Sequence, residues 1–143
     1  MSIAQWDDSY KSGHQAVDIQ HETLFAMVNA LHDAIMAGKG NNALAPNLQK
    51  LAKYTIDHFA EEERLMTSIA FPGFLAHRAK HLELTRQVED LLAKFHEGKL
   101  VLSMTISTFL TNWLKHHMQE DDVTLIQYLK AHPATRTLSA AAR

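Results

Sequence analysis

The feature that most constrains this chain is a stripe at Phe74, His77, His81, Leu84, Val88, Leu91 and Phe95, spaced in alternating steps of three and four. That spacing lines one face of an α-helix turned toward a bundle interior. Three other segments repeat the pattern. Asp18 is placed to cap a first helix running to about Ala37, with His21, Leu24, Phe25, Val28, Leu31 and Ile35 inward. The run Gly38-Lys-Gly-Asn-Asn42 breaks it, and a second helix opens near Pro46, a residue tolerated in a first turn. Its inward face is Leu48, Leu51, Thr55, His58, Phe59, Glu62, Leu65, Met66 and Ile69, closed by Phe71-Pro72-Gly73. Gly98 ends the third helix. A fourth starts near Ser103, carries Ile106, Phe109, Leu110, Trp113 and His117 inward, and continues through Leu125 and Leu129 to Ala131 before Pro133. No strand alternation and no internal repeat competes. The expected architecture is all-α: an up-down-up-down four-helix bundle forming a single domain over 1–143. An irregular N-terminal arm covers 1–17, and 134–143 is expected to be a frayed tail.

Composition narrows the function. At 143 residues and 46% hydrophobic, the chain can bury a core unaided. A net charge of -2, with no Lys/Arg cluster, argues against nucleic acid. The absence of cysteine removes disulfides, thiolate metal sites and cysteine nucleophiles. Met1 to Tyr10 lacks the apolar run of a signal peptide, and no stretch is long enough to span a bilayer, so a cytoplasmic protein with no membrane partner is expected. The ten histidines are dispersed rather than gathered in a tag, and histidine is the commonest metal-ligand side chain.

Several of them interrupt the apolar stripes. His58 and Glu62 stand four apart on the second helix, and His77 and His81 four apart on the third. His117 and Asp122 break the fourth stripe, and His21 lies near the start of the first. Residues four apart share a helix face. Taken singly, each has a bland reading. A lone histidine pair is usually a polar face, a lone glutamate snorkels outward, and a lone histidine fills a core or caps a helix. Together, all fall on inward positions of four different helices, where an uncompensated carboxylate is costly. Metal ions supply the compensating charge. Five imidazoles and two carboxylates exceed the four donors zinc prefers, and calcium and magnesium favour oxygen shells. Two octahedral-leaning ions bridged by the carboxylates use every group. Iron or manganese suits the mixed shell, and the excess of histidine favours iron. His32, His96, His116 and His132 are read as bystanders, and in Glu61-Glu62-Glu63-Arg64 only Glu62 is read as inward.

The segments Asp18-Ile-Gln-His21, His58-Phe-Ala-Glu-Glu62, His77-Arg-Ala-Lys-His81 and Trp113-Leu-Lys-His-His117 with Asp122 resemble the hemerythrin signature, and Trp6 and Gly13 resemble the family's N-terminal segment. The likeness covers about residues 5 to 130. It implies two non-haem irons, one completed by His77, His81 and His117 and the other held by His21 and His58 with one position open. Glu62, Asp122 and an oxo or hydroxo group would bridge them. It implies dioxygen as the partner, bound reversibly for oxygen storage, transport or delivery rather than for catalysis, with the recipient left open. An oxygen or redox sensor, or a di-iron oxidase or peroxidase, is the alternative. No fused signalling domain is expected in 143 residues, and at the seven ligand positions histidines outnumber carboxylates, which favours carriage. Leu24, Phe25, Phe59, Trp113, Leu114 and Met118 would wall the oxygen pocket, with Leu114 against the bound gas. The chain departs from the family pattern at His14, Met118 and Leu125.

The resemblance selects Asp122, although a regular helix would bring Asp121 onto the face of His117. Leu125, Ile126 and Leu129 keep register with Asp122. One extra residue has therefore entered the repeat, and a π-type turn or a helix break at about Met118 to Asp121 is expected to absorb it, leaving Asp121 toward solvent.

Overall fold

The structure, a computed structural model, describes residues 3–99, 103–118 and 122–132. The expected tail over 134–143 lies outside the described residues. Among the described residues, a short 3-10 helix, Asp8–Tyr10, precedes five α-helices: α1 Gln15–Met36, α2 Asn41–Ser68, α3 Phe74–His96, α4 Met104–His116 and α5 Val123–Ala131. The fold is a four-helix bundle in which α4 and α5 share the fourth position. α1 packs on α2 and on α4, and α2 packs on α3. Trp113 Nε1 ties α4 to α3 by donating to Gln87 Oε1 at 3.1 Å. Among the described residues, no helix is long and apolar enough to cross a membrane.

The boundaries differ from the sequence expectation at two helix starts. α1 is capped by His14, whose Nδ1 accepts from Val17 N–H at 3.3 Å, and not by Asp18. Asp18 is pulled the other way. Its carboxylate accepts from Ser12 N–H at 2.7 Å, Ser12 Oγ at 2.9 Å and Gly13 N–H at 3.2 Å, which binds the arm to the first turn. Gly13 permits this approach by taking φ 87°. Farther out, Asn29 pins the arm by pairing with both backbone groups of Ala4, at 2.8 and 2.7 Å. α2 begins at Asn41, so Pro46 lies inside the helix. It costs one backbone hydrogen bond near the helix start, where the other turns can carry the loss. α2 ends in a Schellman-type turn: Phe71 N–H returns to Met66 C=O at 2.9 Å while Ala70 adopts φ 51°.

On α4 the buried face is rotated from the one expected. Ser107, Leu110, Thr111, Leu114, His117 and Met118 are buried, whereas Phe109 is 50% exposed. Phe109 lines a groove between α3 and α4 beside Gln87 and Trp113 instead of entering the core.

The interior is divided into two apolar clusters. The larger gathers Leu24, Phe25, Val28, Leu31, Leu44, Leu48, Leu51, Phe95, Leu110, Leu114 and Met118. The smaller gathers Val17, Leu65, Met66, Ile69, Phe71, Leu125 and Leu129. Along α1 the chain passes from one cluster to the other at His21, and along α2 at His58 and Glu62. A polar layer therefore separates the two.

Candidate metal centre

Each helix contributes to that layer. α1 supplies His21, α2 supplies His58 and Glu62, and α3 supplies His77 and His81. The junction after α4 supplies His117, and the residue before α5 supplies Asp122. All seven are at most 4% exposed, so water cannot compensate their charge.

The junction explains how residues five apart reach one centre. His117 and Met118 adopt π geometry, and Asp122 N–H donates to His117 C=O at 2.8 Å. The wider turn returns Asp122 to the inward face, after which Leu125 and Leu129 resume burial. Asp121, expected to face solvent, lies outside the described residues.

The imidazoles enclose the two carboxylates. Glu62 Oε2 lies 3.1 Å from His21 Nε2 and 3.0 Å from His58 Nε2. Glu62 Oε1 lies 3.0 Å from His81 Nε2, 3.4 Å from His77 Nε2 and 3.8 Å from His117 Nε2. Asp122 Oδ1 is 2.8 Å from His77 Nε2, while Oδ2 is 3.2 Å from His21 Nε2 and 3.1 Å from His117 Nε2. His117 thus sits between the halves. Glu62 groups it with His77 and His81, as the family resemblance implies, whereas Asp122 groups it with His21. The donor atoms resolve into two overlapping sets, one of His21, His58, His117, Glu62 and Asp122, the other of His77, His81, Glu62 and Asp122.

This donor set fits a pair of cations. His21 Nε2 and His58 Nε2 approach to 3.1 Å, within hydrogen-bond distance of each other. His77 Nε2 and both Asp122 oxygens crowd their neighbours without being aligned for hydrogen bonds. Buried imidazole nitrogens and carboxylate oxygens gathered this closely, several of them without an aligned hydrogen-bond partner, form a donor set that shared cations can occupy.

The electrostatics describe the same balance in protons. Burial alone would raise the Glu62 carboxyl, but His58, His21 and His77 hold it well below the usual carboxylate range. Asp122 is pushed up by burial and by Glu62, and His117 and His21 outweigh both, leaving it lowered. Burial pushes His21 and His77 down, yet the Asp122 and Glu62 carboxylates beside each raise it to about 9. For His58 burial prevails and the ring is lowered. Without metal, protons on His21 and His77 neutralise the carboxylates; cations would replace them.

Two contacts behind the ligands were not legible in the sequence. His58 Nδ1–H donates to Gln20 Oε1 at 2.7 Å, and His81 Nδ1–H donates to Glu63 Oε2 at 3.1 Å. Glu63 is therefore not simply part of a solvated face, as its charged neighbourhood suggested. No spacing rule marks either residue, because each reaches across to another helix.

The residues expected to wall an oxygen pocket separate into four groups. Leu24, Trp113 and Leu114 line an apolar cavity of about 20 Å³ in the bundle, with Val28, Leu51 and Leu110. Phe59 stacks on His81 with centroids 4.2 Å apart and meets His117 edge-on at 5.2 Å. Phe25 packs beneath the arm against Trp6 and Tyr10, each at 5.4 Å. Met118 is buried in the larger cluster.

The chain is similar to known proteins over most of its length. Residues 12–129 match the family model described as the hemerythrin HHE cation binding domain. A protein named bacteriohemerythrin from Pseudomonas paraeruginosa is 33% identical over 130 residues, covering 91% of this chain and 84% of that protein. Another bacteriohemerythrin, from Methylococcus capsulatus, is 35% identical over 105 residues, covering 73% and 79%. A myohemerythrin from Riftia pachyptila is 30% identical over 117 residues, covering 82% and 86%. The crystal structure of a wild-type hemerythrin superposes with a TM-score of 0.77 at 30% identity, covering 85% of this chain and 95% of that one.

Proposed function

The chain belongs to the hemerythrin family, and we propose that it binds dioxygen reversibly, for storage or delivery, at two non-haem irons held by His21, His58, Glu62, His77, His81, His117 and Asp122. The observation that carries this reading is that the buried donors form two sets sharing both carboxylates. Glu62 and Asp122 each turn one oxygen toward either set, as bridging groups would, with an oxo or hydroxo group as the third link. Whichever set takes His117, the other keeps two imidazoles, fewer protein donors than an octahedral ion accepts. When bound, the irons supply the electrons and the free coordination position that reversible dioxygen binding requires.

The remaining side chains control access. Gln20 and Glu63 fix two of the rings with Nε2 inward. The cavity lined by Leu24, Trp113 and Leu114 supports a role in which water is kept from the centre. Its polar lining residue, Thr55, already donates its hydroxyl to Leu51 C=O at 2.8 Å, so a water there would lack partners. The apolar lining of this cavity suits a small apolar gas such as dioxygen. The test is optical: reduced, iron-loaded protein is mixed with dioxygen and then degassed. A spectral change that reverses on degassing is expected. Irreversible oxidation in a single step, or protein that takes up only one zinc, contradicts the reading.

A further inference from the structure

Behind the centre, two of the imidazoles are held by unlike partners. His58, from α2, donates its Nδ1–H to the neutral amide oxygen of Gln20 on α1 at 2.7 Å. His81, from α3, donates its Nδ1–H to the Glu63 carboxylate on α2 at 3.1 Å. Both rings turn Nε2 to Glu62, at 3.0 Å in each case. The geometry is therefore matched and the charge is not. Glu63 is itself only partly exposed, at 28% of its side chain, and its other oxygen lies 3.7 Å from Arg78 Nε. Phe59, stacked on His81, holds the ring plane from one side.

We propose that Glu63 is a positioning residue that makes His81 a stronger electron donor than His58 and so sets apart the two iron positions. The inference rests on the di-iron reading above. A carboxylate accepting from the far nitrogen of a ligating imidazole fixes its tautomer and raises the basicity of the near nitrogen, and an amide oxygen does so more weakly. A more basic ring favours the ferric state, so Glu63 lowers the reduction potential of the iron beside His81. Gln20 leaves the other position less biased. The asymmetry arises in the shell around the ligands and holds whichever side His117 joins.

Redox titration of iron-loaded variants, followed optically, tests this. Glu63→Gln keeps the shape and removes the charge, and it should raise the potential while two irons per chain remain bound. Gln20→Glu should lower it. Glu61→Gln, which removes a charge paired with Arg64 one residue before Glu62, should leave it unchanged. Equal shifts in Glu61→Gln and Glu63→Gln would show a general charge effect and overturn the proposal, as would unchanged potentials in both Glu63→Gln and Gln20→Glu. Zinc affinity gives a readout without redox chemistry and covers the case in which a variant takes up iron poorly. Glu63→Leu should bind zinc about 10-fold more weakly than the unaltered chain, and equal affinity counts against the proposal. Metal analysis of the unaltered protein comes first. A single metal per chain defeats the di-iron reading itself, and that result is distinguishable from intact di-iron protein whose potentials ignore Glu63.

Discussion

Leu31 and Glu62 are both fully buried, on adjacent helices, and they hold the bundle by opposite means. Leu31 belongs to an apolar cluster that gains stability from area removed from water, on the order of 2 kcal/mol for such a side chain. Glu62 belongs to a layer whose burial is unfavourable until something offsets two carboxylates and aligns five rings. The apolar cluster is stable because of what it excludes. The layer is specific because of what it must admit. The same helices build both, so on α1, α2 and α3 the core's spacing runs through the site with only the residue types changed, while the junction of α4 and α5 absorbs one extra residue.

The comparison can be broken most forcefully at Glu62. Glu62→Ala removes one of the two carboxylates shared by both donor sets and should weaken iron uptake by more than about 100-fold, beyond what altering a ligand's partner usually costs. The metal-free fold should tolerate the change, measured as iron per chain beside a circular dichroism melt. Leu31→Ala makes the converse cut. It should destabilise the protein by about 2–5 kcal/mol in chemical denaturation while both irons still bind. Loss of iron from Leu31→Ala would mean that core and layer are not separable.

Proton balance sharpens the contrast in metal-free protein. His21 and His77 are raised from 6.5 to about 9 by their carboxylate neighbours, so the stability they contribute is complete below about 6.5 and is lost as pH rises toward 9. Glu62 and Asp122 are lowered, so their contribution is present above the ordinary carboxylate range and is lost in acid. The melting temperature of the metal-free chain should therefore fall between about pH 6.5 and 9. Iron loading should remove that fall, because the metals replace the protons. A flat profile in metal-free protein would show that the layer is not held by these protons. The smallest expected effect is kinetic. Leu114→Ala opens the apolar cavity beside the layer and should speed autoxidation of dioxygen-loaded protein several-fold, about 1 kcal/mol in barrier height. An unchanged lifetime would separate the cavity from the site.

How much of this was legible before the structure depended on the kind of signal. Apolar periodicity located all four bundle positions, because inward residues must repeat with the helix whatever their chemistry. The same periodicity exposed the extra residue between His117 and Asp122, and the π-type bond between them is where the register shift is absorbed. Periodicity alone could not fix the rotation of α4. Phe109 and Leu110 are adjacent and both apolar, and only packing shows that the first faces solvent. Helix starts were also hidden. Asp18 is a good cap by type, but the arm claims its carboxylate through Ser12 and Gly13, leaving His14 to cap α1. Gln20 and Glu63 escaped because their partners lie on other helices, and a contact across helices leaves no spacing in the chain.

The central claim is that one buried layer holds two irons as a single bridged unit. Mössbauer spectroscopy of the chain loaded with iron-57 and oxidised tests it most directly. The account predicts two irons per chain whose spins couple to a non-magnetic ground state at low temperature. Magnetically isolated ferric iron, in one site or in two, would contradict it.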